Sequence, residues 1–312
     1  KQTLLQIKIF ENTMKIKAIA FLSLSLFLFI SCSQVEDQPL TDYPNAGLLI
    51  SAEELNELIN SDENKIVIDT RAETPDSLIP GAIHFAAVSE LIDPDHPIDS
   101  YLVGPETFQE KMRAIGLDND DSVVLYDGGN SLAAARLFYA LDYYGFSNAA
   151  ILNGGFQAWL EEGFSIATEP DSAGQGMFAV AVQEAKMCDI NYIVEASNDP
   201  DKIIFDVRSP EEYSGETDRA ERNGHIPNAI NLEWSNLIEQ EGVPYFLSAA
   251  EIQDKLNAMG ITPDKEIITH CQSNVRGSHA YFTLRLMGYD SVRAYEGSWA
   301  EYGNSSEAVV QQ

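Results

Sequence analysis

Lys65-Ile-Val-Ile-Asp69-Thr-Arg71 recurs later in the chain as Lys202-Ile-Ile-Phe-Asp206-Val-Arg208. Working outward, three more landmarks repeat in the same order. Ile79-Pro80-Gly-Ala-Ile83 returns as Ile226-Pro227-Asn-Ala-Ile230, and Ser122-Val-Val-Leu-Tyr-Asp127 is matched by Glu266-Ile-Ile-Thr-His-Cys271. Leu152-Asn-Gly-Gly155-Phe-Gln-Ala-Trp159 is matched by Tyr295-Glu-Gly297-Ser-Trp299. The offset runs from 137 at the first landmark to 147 at the second, a drift that an insertion of about ten residues, Tyr213 to Asn223, accounts for. The chain therefore holds two copies of one domain.

Each copy alternates strands and helices. The short β-branched runs 66–68, 122–126, 203–205 and 266–269 read as buried parallel strands. Residues 51–60 and 248–259 read as helices; Ser248 and Glu251 have the spacing of a capping box. Helices over 131–144 and 276–287 run into Gly145 and Gly288, as helix C-termini often do. The fold class is α/β: two similar domains, each an open, mainly parallel sheet with helices on both faces. The domains are placed at 46–166 and 183–306, joined by a linker at 167–182 whose first part carries Pro, Ser and Gly.

With 19 Lys plus Arg against 49 Asp plus Glu, the net charge is −30, which repels a phosphate backbone and excludes nucleic acid as a partner. It also repels a small anionic substrate, so any local cluster of arginines is significant. The three cysteines, Cys32, Cys188 and Cys271, are too few for a disulfide scaffold and match no zinc spacing, so no metal site is expected.

Residues 1–13 carry no recognisable signal. Lys15 and Lys17 follow Met14, and the apolar stretch 18–30 is short for a membrane span but suits the core of an export signal. It ends Phe29-Ile30-Ser31-Cys32, which resembles a bacterial lipobox. The expectation is a signal peptide over 14–32, lipidation of Cys32, and a polar spacer over 33–45 that tethers the protein outside the cytoplasmic membrane.

Of the cysteines, Cys271 has the setting of a nucleophile. It follows the strand 266–270 and precedes a helix, the place where open α/β sheets bind ligands. In the loop Cys271-Gln272-Ser273-Asn274-Val275-Arg276, backbone N–H groups and the helix N-terminus are expected to face the sulfur, with Arg276 adding a positive charge. That field favours a solvent-accessible thiolate and a stabilised persulfide. Cys188, with only Lys186 nearby, reads as inert packing.

From about residue 46 to 304 the chain resembles the tandem-domain rhodaneses, on Asp206-Val-Arg208, Gly224-His225-Ile-Pro227-Asn-Ala-Ile230-Asn231, Thr269-His270-Cys271-Gln272 through Arg276, and Tyr295-Glu-Gly-Ser-Trp299. The resemblance implies a sulfurtransferase with its catalytic cysteine in the second domain only; the first copy has Asp127 at that position and is catalytically silent. It implies a ping-pong reaction through a Cys271 persulfide, a small anionic sulfur donor, a thiophilic acceptor such as cyanide or a thiol, and no cofactor. Cys271 to Arg276 has the loop length of sulfur-handling members, one residue shorter than in related phosphatases. The loop is similar to thiosulfate-using bacterial members and lacks the Gly-Ser/Thr-Gly-Val-Thr run of the mercaptopyruvate enzymes, which remain the second choice.

Mammalian-type members have an arginine where this chain has Glu212, leaving Arg208, Arg219, Arg222 and Arg276 as candidate anion contacts. Asp206 with Arg208, His225, His270, Trp234 and Trp299 read mainly as structural. The rival reading is a persulfide carrier or redox-sensing module acting only with a protein partner; a lipoprotein with a vestigial site is a third. The expected contact with the membrane is the lipid anchor alone, and the expected state is a monomer.

Overall fold

The computed structural model describes residues 42–61, 65–172 and 174–312, so the expected signal peptide, Cys32 and most of the expected spacer lie outside the described residues. The first half runs β1 (Leu49–Ile50), α1 (Ala52–Ile59), β2 (Ile66–Asp69), β3 (Ala82–His84), α2 (Ala87–Glu90), α3 (Pro105–Ala114), β4 (Val123–Tyr126), α4 (Leu132–Tyr143), β5 (Ala149–Leu152) and α5 (Gly155–Glu161). The second runs β6 (Met187–Cys188), α6 (Ile190–Ala196), β7 (Lys202–Asp206), α7 (Pro210–Ser214), β8 (Ile230–Asn231), α8 (Ala249–Ala258), β9 (Glu266–His270), α9 (Val275–Leu286), β10 (Val292–Tyr295) and α10 (Ser298–Tyr302).

Each half forms one five-stranded parallel sheet, in the orders β1-β5-β4-β2-β3 and β6-β10-β9-β7-β8. The repeated phrases occupy equivalent strands: Asp69 pairs with Tyr126 across β2 and β4, and Asp206 with His270 across β7 and β9. Strands β4 and β9 are central, so their side chains are covered on both faces, which is why they read as unbroken apolar runs. The helices start where their caps dictate: Ser51–Glu54 and Ser248–Glu251 both form complete capping boxes. Helix α4 ends into Gly145 at φ +90°, and a side chain there would also lie 2.6 Å from the Ala181 carbonyl oxygen.

The largest apolar core is shared between the halves. Helices α4 and α9 meet across an approximate two-fold axis, and nine residues of each are buried. Phe138 packs edge-on against Phe282 (4.9 Å) and Tyr139 against Tyr281 (5.1 Å), contacts worth about 0.5–1.5 kcal/mol each beyond their area. The Tyr281 hydroxyl donates to Asp142 (2.6 Å), whose other oxygen meets Lys186. Ahead of β1, Asn45 bonds the end of α9 through Leu286 O (3.0 Å) and Arg285 O (2.6 Å).

Two segments differ from the sequence reading. The stretch expected as a linker is tied to the first half: Ala167 pairs antiparallel with Leu78, Gly176 N donates to Arg113 O (2.8 Å), and Phe178 is buried. Gly176 therefore marks close approach to a neighbouring backbone, since a Cβ there would lie 2.3 Å from Leu117 O. The second half also extends past residue 306, because Gln311 exchanges backbone hydrogen bonds with His225.

Two buried histidines make folding pH-dependent. Burial lowers His279 to about 3 and His270 to about 4, the latter despite an opposing pull from Asp206. Both are neutral in either state well above the free-histidine value of about 6.5. As pH falls below that value, the unfolded chain takes up protons that the folded chain refuses until pH reaches about 4 or 3. Stability therefore falls with pH in this window, by up to about 1.4 kcal/mol per pH unit per histidine. We expect His279→Leu to remove about half of this histidine slope, read from urea unfolding midpoints at about pH 6 and pH 5.

Candidate active site

At the carboxyl end of β7, Asp206 clamps Arg208: Oδ1 accepts from Arg208 N (3.0 Å) and Nε (3.0 Å), and Oδ2 from Nη2 (2.6 Å). Nη2 also donates to Gly224 O (2.9 Å), and the guanidinium lies 4.2 Å from the Trp299 ring centroid. Arg208 is fully buried, so the clamp is structural and cannot receive a donor from solvent. His270 Nε2 stands 3.5 Å from Asp206 Oδ2, and with its pKa lowered to about 4 it is a neutral packing group. His225 stacks on Tyr213 at 3.8 Å and bonds its carbonyl, again a structural role. Burial raises the Cys188 thiol well above its ordinary value, which removes it as a nucleophile.

Next to this clamp, β9 ends at Cys271. The loop is held from outside: Cys271 O and Gln272 O accept from Trp299 N and Ala300 N (2.9 Å each), and Ser298 Oγ accepts from Cys271 N (3.3 Å). Asn274 takes a left-handed conformation (φ 56°) and caps α9, a conformation asparagine tolerates better than most residues. The first bond of α9 is Ser278 N to Asn274 O (3.0 Å). The N–H groups of Gln272, Ser273, Asn274, Val275, Arg276 and Gly277 consequently have no acceptor among the described residues.

The first half shows what such a loop holds. There Asp127 stands at the cysteine's position, and its carboxylate accepts from Gly129 N (2.9 Å), Ser131 N (3.0 Å) and Ala133 N (3.0 Å). Ser131, also left-handed at φ 60°, takes the place of Asn274, so this loop is one residue longer. A carboxylate oxygen of Asp lies two bonds beyond Cβ, as does the outer sulfur of a cysteine persulfide. The amides thus suit the terminal sulfur of Cys-S-S⁻ rather than Sγ, a refinement of the expectation that they face the thiol itself.

The charge beside the sulfur is Arg276. Burial lowers its pKa, but the hydrogen bond to Glu212 and the adjacent Cys271 sulfur outweigh this and raise it, so it is permanently cationic. Its Nη1 and Nη2 donate to the two oxygens of Glu212 (2.6 and 3.0 Å), and Arg219 Nε lies 3.6 Å from Glu212. Glu212 is itself shifted down: burial raises it, while Arg276 and Ser209 N lower it further. The residue read from sequence as a missing anion contact is therefore the partner that orients the essential cation.

Arg219 lines a hollow of about 750 Å³ with Gln272 and Ser273 of the loop and Pro97 to Ser100 of the first half. Gln272 Nε2 bonds the Arg219 carbonyl across it (3.1 Å). Arg222 faces elsewhere, spent on Ala308 O (2.5 Å) and Tyr302 O (2.8 Å). Of the four candidate anion contacts, then, Arg208 is committed to Asp206 and Gly224 O, Arg222 to backbone carbonyls, and only Arg219 and Arg276 stand at the loop. Cys271 is 1% exposed, against the expectation of an accessible sulfur, so a donor has to displace the side chains that cover it.

A reactive cysteine in such a loop, in one of two like sheets, is matched by comparison with known proteins: the Rhodanese-like domain accounts for residues 51–162 and 189–305. The chain belongs to the rhodanese family. It is a sulfurtransferase, and rhodanese domains work through a cysteine persulfide. The chain is 33% identical to the sulfur carrier protein TtuD of Thermus thermophilus over 261 residues, covering 79% of this chain and 87% of that protein. It is 29% identical to the thiosulfate sulfurtransferase of Azotobacter vinelandii, covering 87% of this chain and all of that one. Among solved structures, the anaerobic ergothioneine biosynthesis enzyme of Chlorobium limicola, bound to trimethyl histidine, superimposes with a TM-score of 0.77 at 26% identity, covering 86% of this chain and 71% of that one.

Sequence reasoning missed Glu296, Arg136 and the role of Glu212. Arg136 had a signal, being a lone arginine in the apolar helix segment 132–141. The Asp127 cradle gives a direct test: Asp127→Ala orphans two buried amides and one part-buried amide and is expected to cost about 1–3 kcal/mol in urea unfolding.

Proposed function

We propose that this rhodanese takes sulfane sulfur from thiosulfate and passes it to a thiol or cyanide. The observation that carries the reading is the run of acceptor-free N–H groups from Gln272 to Gly277 beside Cys271 and Arg276. Relatives named thiosulfate sulfurtransferase, and a loop of the Cys-Gln-x-x-x-Arg type, support thiosulfate over 3-mercaptopyruvate.

In the first half-reaction the Cys271 thiolate attacks the outer sulfur of thiosulfate. A new S–S bond forms, the donor's S–S bond breaks, and its electron pair leaves with sulfite. The loop amides receive the outer sulfur of the resulting Cys-S-S⁻, as their counterparts receive the Asp127 carboxylate. Arg276 lies beside the sulfur and offsets the negative charge that develops there. In the second half-reaction a nucleophile attacks that outer sulfur, and the Cys271 thiolate leaves.

Incubation with thiosulfate should add one sulfur (about 32 Da) to the intact mass, and Cys271→Ser should abolish the gain. Glu212→Gln leaves Arg276 a hydrogen-bond acceptor but removes the negative charge beside it, and should lower the KM for thiosulfate about three- to tenfold at low salt. No mass gain with thiosulfate, alongside rapid gain with 3-mercaptopyruvate, would reverse the donor assignment. The resemblance to a protein named as a sulfur carrier favours a second reading, transfer only within a protein complex. It predicts that the protein loads with sulfur but does not turn over on cyanide or small thiols.

The lipobox-like Phe29-Ile30-Ser31-Cys32 supports export and lipid anchoring, most simply of a monomer. In bacterial expression the full chain should fractionate with membranes, and Cys32→Ser should abolish palmitate labelling; equal labelling of the two would refute the anchor.

A further inference from the structure

Glu296, in the turn after β10, is a fully buried carboxylate surrounded by donors from both halves. Arg136 of α4 grips it with two nitrogens, Nη2 to Oε1 (2.5 Å) and Nη1 to Oε2 (3.0 Å). Leu102 N donates to Oε1 (3.0 Å). The fourth donor is Asn274 Nδ2, 2.7 Å from Oε2. Asn274 is the left-handed residue at which the Cys271 loop becomes α9, and it too is fully buried. Its Oδ1 sits so close over Gly277 that a Cβ there would lie 2.3 Å away. The side chain is thus bonded at its nitrogen and packed over Gly277 at its oxygen, which has no hydrogen-bond partner among the described residues, and the backbone turn that presents the loop amides is held with it.

The approximate two-fold axis supplies a comparison within the same molecule. Counting from the left-handed caps Ser131 and Asn274, Arg136 corresponds to His279; counting from the aligned Asn-Gly and Glu-Gly turns, Asn153 corresponds to Glu296. Asn153 Oδ1 accepts from Phe246 N (2.9 Å), mirroring Glu296 and Leu102 N. Its half has no ion pair there: His279 is buried between Trp234 and Phe246, and neither ring nitrogen has a partner. One side of the interface thus packs without such charges, and they occur only on the side that holds the cysteine. A buried ion pair adds little net stability over apolar packing, so a role other than stability is the better account of it.

We propose that Arg136, from the catalytically silent half, is a positioning residue for sulfur transfer. Acting through Glu296, it fixes Asn274 and so keeps the loop amides aimed at the outer sulfur of the Cys271 persulfide. This rests on the reading of Cys271 as the persulfide carrier. The silent half then serves the reaction by orienting the other half's loop as well as by walling the hollow.

The test uses the whole chain and the single-turnover rate of persulfide formation at saturating thiosulfate, followed by intact mass, with urea unfolding measured on each variant. Arg136→Met is expected to slow loading at least tenfold, to change donor KM less than threefold, and to displace the pH profile of Cys271 alkylation by iodoacetamide. Arg136→Lys, which keeps the charge but loses the fork, should recover part of the rate. Asn153→Ala, in the mirror position, should lose stability yet load within twofold of the unaltered protein. Wild-type loading by folded Arg136→Met, or equal slowing by Asn153→Ala, would overturn the proposal. Should Arg136→Met fail to fold, Glu296→Gln decides in its place: slowed loading supports the proposal and an unchanged rate refutes it. If the unaltered protein gains no sulfur from any donor, the fault lies instead with the reading of Cys271.

Discussion

Six consecutive backbone N–H groups, from Gln272 to Gly277, end without a partner among the described residues, and the site is organised around that deficit. Unsatisfied amides at the start of a helix attract negative charge, through their own dipoles and that of the helix. The two halves answer the demand differently. In the first, the Asp127 carboxylate fills the loop permanently. In the second, the shorter Cys271 side chain stands at that position and the loop amides have no acceptor among the described residues. Duplication thus yields one loop filled by its own carboxylate and one left open, which is what the proposed persulfide would fill.

The surrounding structure keeps that deficit in place. The shared core between α4 and α9 fixes the halves against each other, so residues of the first can act on the loop of the second. Electrostatics are arranged locally against an unfavourable background, with Arg276 and Arg219 gathered at the loop of a chain whose net charge is −30. Glu212 tempers that positive cluster and, by bonding both nitrogens of Arg276, sets where its charge lies. The sulfur itself is covered, which protects a persulfide from water and from stray thiols between half-reactions.

Much of this was legible in the chain, for reasons that can be traced. The central strands are buried on both faces, so they must be apolar runs and were found as such. The capping boxes at Ser51 and Ser248 use only local contacts and appeared where their spacing placed them. Cys271 was identifiable because a nucleophile at a strand end followed by a polar loop is a local arrangement. The arginines were not so readable. Arg208 and Arg222 look like any other cations in sequence, and only the fold shows their nitrogens bonded to Gly224 O, Tyr302 O and Ala308 O. The segment 167–182 read as a linker because tight backbone contact and flexibility both select small residues.

Periodicity and repetition determined the α/β class and the two like domains, and the family's motifs the sulfur chemistry, because each is encoded over a few neighbouring positions. Tertiary structure alone decided which charges meet. Arg276 finds Glu212 from 64 residues away, and Arg136 finds Glu296 from 160. Such pairs depend on how whole layers pack, and no short stretch of chain carries that information.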